Sequence, residues 1–111
     1  MKVTHRMIGK VCTVSVVGEI LDQDVPELQS YVMTLLDNQA PNAFVMNLEE
    51  TSHVDSAGIG FILMLYRTFA RIQIKFVLCQ LGEQVSTIFD MTQLSRVTTI
   101  YATEEEALVS I

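Results

Sequence analysis

Asp55-Ser56-Ala57-Gly58-Ile59-Gly60 stands between an apolar run from Ala43 to Leu48 and a second from Phe61 to Tyr66. The first run has the length of a strand and the second belongs to a segment of helix length, so the hexapeptide reads as a strand's exit loop feeding a helix N-terminus. Ser56 then sits at or beside the N-cap, where its hydroxyl can accept from a free amide of the first turn. Gly58 and Gly60 leave the backbone open to close approach. A helix start with a small hydroxyl residue equally suits a phosphate, either bound there or carried by Ser56 itself. Spacing leaves these three readings open: cap, phosphate site and phosphorylation site.

Outward from this loop, Ala43 to Leu48 is apolar except for Asn47, the pattern of a central strand covered on both faces. Glu49 to Val54 reads as a loop, and a largely buried helix is expected over about Gly58 to Arg71. Lys75 to Cys79 is a second short apolar strand, so the two strands should be parallel with a right-handed crossover. Upstream, Val3 to Ile8 and Val11 to Val17 flank Gly9-Lys10, a two-residue loop with glycine first that predicts a type II′ hairpin, with Gly18 ending the second strand. The loop Gly18 to Asp24 carries carboxylates at Glu19, Asp22 and Asp24. Asp24 and Glu27 have capping-box spacing, with Pro26 in the first turn of a helix from about Val25 that ends among Asn38 to Asn42. A helix over Glu83 to Met91, a strand over Val97 to Tyr101 and a last helix capped by Thr103 and Glu106 complete the chain. The expected class is α/β: a mixed sheet of about five strands with about four helices.

A length of 111 residues fits one domain, 1–111, and a composition half apolar and 18% charged excludes disorder. The formal net charge of −6, with basic residues spread over Lys2, Arg6, Lys10, Arg67, Arg71, Lys75 and Arg96, argues against nucleic acid and anionic lipid and favours a basic protein partner. Met1 to Arg6 lacks the apolar stretch of an export signal. The run around Ile59 to Tyr66 falls well short of the ~20 residues a membrane span needs, so no membrane insertion is expected. Cys12 and Cys79 lie in strand-like apolar runs, as small buried hydrophobes would in a reducing cytoplasm.

No catalytic constellation emerges. The nucleophile-elbow pattern fails at Val54, where glycine is required, and both histidines, His5 and His53, precede Ser56. A P-loop fails at Phe61 and Ile62, which follow Gly60 where lysine and a hydroxyl residue are needed. His53 and Asp55 could share a metal, yet further ligands are wanting. Asp55 after a central strand also fits a phospho-receiver, but the acidic pair and late lysine of such domains are missing. The reading is a binding module, not an enzyme, with no cofactor and no metal.

Asn47-Leu48-Glu49-Glu50 followed by Val54-Asp55-Ser56-Ala57-Gly58-Ile59-Gly60 resembles the signature of STAS domains, and in particular that of bacterial anti-sigma factor antagonists. Gly18-Glu19-Ile20-Leu21-Asp22 is similar to their strand-end loop, and Ile88-Phe89-Asp90-Met91 with Leu94 to their late helix. The resemblance implies a mixed sheet with helices mainly on one side, and a serine after the aspartate, here Ser56, that a partner kinase phosphorylates. It further implies that the unphosphorylated form binds an anti-sigma factor, itself a histidine-kinase-like serine kinase, and frees the sigma factor, while a PP2C-type phosphatase resets the switch. Partner contacts are thereby expected at Asp22, Gln23, Asp24, His53, Asp55, Ser56, Ala57, Gly58 and Ile59, and a weak homodimer is compatible with the family. Ala57 replaces a second hydroxyl residue of many relatives, and Arg71-Ile72-Gln73-Ile74 lacks the glycine many have there. STAS modules also serve as constitutive scaffolds and as subunits of signalling or lipid-transport complexes.

Overall fold

The chain opens on an antiparallel hairpin, β1 (Lys2–Ile8) and β2 (Val11–Ile20), in a computed structural model that describes residues 1–111. Of the two turn residues only Gly9 takes a positive φ, 60°, as a type II′ turn requires. Parallel strands then add outward: β3 (Ala43–Asn47) on β2, β5 (Lys75–Cys79) on β3 and β6 (Thr99–Tyr101) on β5. The order β1-β2-β3-β5-β6 is the expected hairpin followed by crossover units. Helix α1 (Val25–Gln39) joins β2 to β3, α2 (Ser56–Arg71) leads into β5, and α3 (Glu83–Met91) with the short α4 (Leu94–Val97) leads into β6. A last helix, α5 (Glu104–Val109), folds back over the sheet.

Three local expectations are corrected. Thr51–Val54, expected as loop, is a sixth strand, β4, that pairs in parallel with the far end of β2. Its companion change is that β2 does not stop at Gly18 but runs on to Ile20 through a register shift at Gly18, whose φ is 98°. Asn47 is the cause of the break between β3 and β4. Its Oδ1 accepts from the Glu49 N–H at 2.9 Å, a local turn that competes with the ladder. The chain rejoins β2 when Gly18 N–H donates to Glu50 O (3.0 Å), and the Thr51 hydroxyl donates to Val16 O (2.8 Å) from a buried position. The third correction is at Val97, which ends α4 instead of starting β6; the buried Thr98 bonds back to Leu94 O and turns the chain into the strand. Helices thus number five rather than about four.

Alternation along the strands divides the apolar side chains between two faces. Cys12, Val14, Val16, Phe44, Met46, Phe76 and Leu78 point to the face covered by α1, α2 and α3, where they join one cluster of 20 buried residues. Val45, Val77 and Cys79 point to the other, where Ala107 of α5 closes a smaller cluster. β3 and β5 are therefore buried on both sides, as their unbroken apolar runs require. The turn after α2 does without glycine because Gln73 itself adopts the left-handed conformation, φ 61°.

Phe69 of α2 anchors the larger face, stacked on Phe44 (centroids 4.8 Å apart, planes 7° apart) and edge-on to Phe76 at 5.8 Å. Phe69→Ala should cost about 3–5 kcal/mol, because the packed strands around it cannot collapse into the space. Urea unfolding followed by circular dichroism, read as a lower midpoint at unchanged slope, checks this.

Candidate functional site

Once β4 has brought the chain beside the end of β2, the Asp55 N–H donates to Ile20 O (3.2 Å) and its backbone stays extended (φ −85°, ψ −177°). That places Asp55, and not Ser56, at the N-cap of α2. Its Oδ1 accepts from the Gly58 N–H at 2.9 Å and satisfies an amide that the helix leaves free. Its Oδ2 reaches across to the other loop and accepts from the Asp22 N–H at 3.0 Å. One carboxylate therefore ties the strand-end loop of β2 to the start of α2. Gly58 makes the approach possible: a Cβ there would lie 2.7 Å from Ile20 O and 2.7 Å from Val54 Cγ1.

The Asp22–Asp24 loop is a single 3₁₀ turn. Here the capping box expected between Asp24 and Glu27 is replaced by a different one, since the Asp24 carboxylate accepts from the Leu21 N–H (2.9 Å) while Asp24 N–H donates to Leu21 O (2.8 Å). The final helix keeps half of its expected box, with the Thr103 hydroxyl accepting from Glu106 N–H at 3.1 Å.

Ser56 is the first residue of α2 and is exposed, and its hydroxyl has no role in capping. Asp22 and Gln23 are exposed beside it, Asp24, His53, Asp55, Ala57 and Ile59 are half-buried, and Gly58 is buried. The structure thus brings the two loops together, while Gly58 serves the fold and Ile59 leans against the core. His53, on β4, borders a shallow cleft with Glu83, Gln84, Thr87 and Ile88 of α3. No three His, Cys, Asp or Glu side chains come together as a metal site would need.

The Gly58 N–H is the main reason the Asp55 carboxyl is held below the ordinary carboxylate range, with the Asp22 N–H and the nearby His53 acting in the same direction. The charges around it are segregated by the fold. Glu19, Asp22 and Asp24 lie where β2 finishes, Glu50 immediately precedes β4, and Glu83 borders the same cleft as His53. At the opposite end Asn42 N–H donates to Lys10 O (2.8 Å) and Lys75 N–H donates to Asn42 O (3.3 Å), so two cations remote in sequence flank the start of β3, and Arg71 is the last residue of α2, ahead of β5. The basic residues that look scattered in the sequence are thus partly collected away from Ser56.

Because Asp55 carries the cap, Ser56→Ala should change stability by less than about 0.5 kcal/mol, in place of the larger loss expected if serine were the cap. Asp55→Ala should lower the melting temperature clearly. A carboxyl whose pKa is depressed on folding stabilises above its unfolded value, about 3.9, and loses that contribution as pH falls through its folded value. The gap between wild type and Asp55→Ala should therefore be full at pH 7 and close below about pH 4. Thermal melts of the three proteins across that range measure it.

The model of the STAS domain family matches residues 2–107. Among solved structures, a putative anti-sigma factor antagonist from Thermotoga maritima is similar at 20% identity and TM-score 0.91, over 98% of this chain and 93% of that one. An anti-sigma factor antagonist from Mycobacterium paratuberculosis is similar at 22% identity and TM-score 0.89, over 99% and 92% of the two chains. The anti-sigma factor antagonist SpoIIAA is similar in its unphosphorylated form at 23% identity and TM-score 0.80, over 96% of this chain and 93% of that one. Its phosphorylated form, from Bacillus, is similar at 22% identity and TM-score 0.73, over 98% of each chain. With the six-stranded mixed sheet, the Asp-Ser start of α2 and a family match running almost the whole length, the chain belongs to the STAS domain family.

Proposed function

We propose that this protein is a phosphorylation-switched anti-sigma factor antagonist, a binding module without catalysis of its own, whose switch residue is Ser56. The observation that carries the reading is the free, exposed Ser56 hydroxyl at the start of a helix whose cap is already supplied by Asp55. A kinase can modify such a hydroxyl without breaking a hydrogen bond of the fold. The added phosphate brings about −1.5 to −2 charges to a helix N-terminus, where macrodipole and free amides tolerate it. Its effect falls on the surface. A hydrated dianion next to Asp55 must be desolvated in any tight interface there, which weakens binding. Similarity to a protein solved in both phosphorylated and unphosphorylated forms supports this reading.

In this reading the unphosphorylated protein binds an anti-sigma factor that is also a histidine-kinase-like serine kinase, and a PP2C-type phosphatase restores the bound state. Asp22, Gln23, Asp24, His53, Asp55, Ala57 and the exposed edge of Ile59 surround Ser56 as the contact surface. The protein acts in the cytoplasm.

Incubation with the histidine-kinase-like ATPases of the source genome and Mg-ATP, followed by mass spectrometry, should place a single phosphate on Ser56. Ser56→Ala should bind the kinase and resist reversal by ATP, whereas Ser56→Asp should fold normally and bind weakly. No phosphate, or phosphate only elsewhere, would leave a constitutive scaffold as the function. The acidic end also implies electrostatic steering by a basic partner. Asp22→Asn, which keeps the N–H that Asp55 accepts, should slow association and flatten its salt dependence with little change in melting temperature. Stopped-flow mixing at several salt concentrations reads both quantities, and a wild-type rate independent of salt would contradict the steering.

A further inference from the structure

Glu104, the first residue of α5, fastens that helix to the sheet at three points. Its Oε2 accepts from Arg6 Nη2 on β1 at 2.8 Å, and its Oε1 accepts from Asn47 Nδ2 at the end of β3 at 3.2 Å. Its N–H, one of the amides a helix start leaves free, donates to Gln80 Oε1 just beyond β5 at 2.9 Å. Gln80 makes that bond from a backbone with φ 60°, which a residue carrying a Cβ rarely adopts. Little else keeps α5 in place. Of its six residues only Ala107 is buried, Val109 is 87% exposed, and the apolar cluster beneath it has four buried members against 20 on the other face. So short a helix does not persist alone, and α5 opens more readily than the core.

Asn47 carries the consequence inward, because its amide is used at both ends. Nδ2 donates to Glu104, and Oδ1 accepts from the Glu49 N–H at 2.9 Å. Turned over, the amide would set Oδ1 against the Glu104 carboxylate and Nδ2 against the Glu49 N–H, two repulsive contacts. Glu104 therefore fixes the orientation that the Glu49 turn requires. That turn brings Glu50 O to the Gly18 N–H (3.0 Å) and starts β4, and β4 delivers Asp55 to Ile20 O, Asp22 and Gly58.

We propose that Glu104 is a positioning residue for the end of the molecule that carries Ser56, and that α5 is a strap whose docking is transmitted through Glu104 and Asn47 to β4 and the Asp55 network. With the strap docked, the Asn47 amide is locked and the Glu49 turn is firm. With it released, Asn47 is free to rotate, and the turn and β4 loosen while the Phe44–Phe69 stack on the other face stays intact. The coupling is reciprocal, so whatever tightens the Asp55 network holds α5 more firmly on the sheet. This goes beyond the function proposed above and stands whether or not Ser56 is phosphorylated, because its test reads only main-chain amides of the protein alone.

Exchanging donor and acceptor tests the transmission. Asn47→Asp keeps an acceptor for the Glu49 N–H but sets a second carboxylate against Glu104. Glu104→Gln can accept from Arg6 or from Asn47 but not from both. Asn47→Asp combined with Glu104→Gln restores the bond in reverse, the glutamine amide donating to the new carboxylate and its carbonyl accepting from Arg6. All three variants are nearly isosteric with wild type, and amide hydrogen exchange followed by NMR compares them. The amides of Glu49, Gly18, Asp22, Asp55 and Gly58 should exchange about tenfold faster in Asn47→Asp and severalfold faster in Glu104→Gln, together with those of α5, while amides of α1 and of Phe69 change less than about twofold. The double variant should return the first set to within about twofold of wild type. Equal quickening of every amide would mark a loss of global stability, and quickening confined to α5 would make the strap a local feature. Either result would overturn the proposal, as would a double variant that exchanges no more slowly than Asn47→Asp.

Discussion

The Asp55 carboxylate is the interaction on which the functional end of the molecule depends. Its two oxygens accept from Gly58 N–H and Asp22 N–H, residues on separate segments, and both bonds favour the ionised form. For this to happen three things must already be in place. β2 must continue past Gly18 to Ile20, β4 must run alongside that extension, and position 58 must lack a side chain so that the helix start can press against Ile20 O. Asn47 contributes from a distance by ending β3 and offsetting the chain before it resumes as β4. The capping charge therefore couples a sheet end, a turn and a helix in one local network. The Ser56 hydroxyl is left over from that network, held in place by the helix backbone with no hydrogen bond of its own.

The same arrangement explains how a large change of charge could be confined to the surface. A switch residue that also served as the cap would couple modification to helix stability, and phosphorylation would disturb the core behind α2. With capping assigned to Asp55, the Phe44–Phe69 stack and the cluster around it are insulated from events at Ser56. Neither cysteine presents a reactive thiolate. Cys12 and Cys79 are fully buried, and burial, reinforced by Glu104 and Glu49, pushes the Cys79 thiol up to about 12, so at neutral pH it is a packed apolar group and not a thiolate. Charge is segregated as well: Asp22, Asp24 and Asp55 gather at the Ser56 end, while Lys10 and Lys75 sit at the opposite end of the strands.

Much of this was legible in the residues themselves. Apolar runs of strand length at Ala43–Leu48 and Lys75–Cys79, helical spacing from Val25 to Leu36, and Gly9-Lys10 between two alternating segments fixed the order of elements, because burial periodicity and turn chemistry are local properties. The hexapeptide from Asp55 to Gly60 was legible as the strand-to-helix junction for the same reason. What local pattern could not supply was pairing across distance. Thr51–Val54 is too short and too polar at Ser52 and His53 to announce a strand, and it becomes one only because β2 offers it a free edge. Asp24 had the spacing of a forward capping box and instead caps backwards onto Leu21, since the geometry of a 3₁₀ turn decided which amide lay within reach.

The sequence by itself determined the class of fold, the strand-to-helix junction and Ser56 as its one hydroxyl, since each follows from periodicity or from spacing within a few residues. Only the tertiary structure decided that Asp55 caps the helix and ties it to Asp22, that Gly58 is required from inside and Gly60 is not, and that cations far apart in the chain share one end. These depend on distances between segments that a linear pattern does not encode. A carboxylate can be read as a cap from its neighbours, but the second amide it accepts from lies 33 residues away and is brought there by the register of two strands.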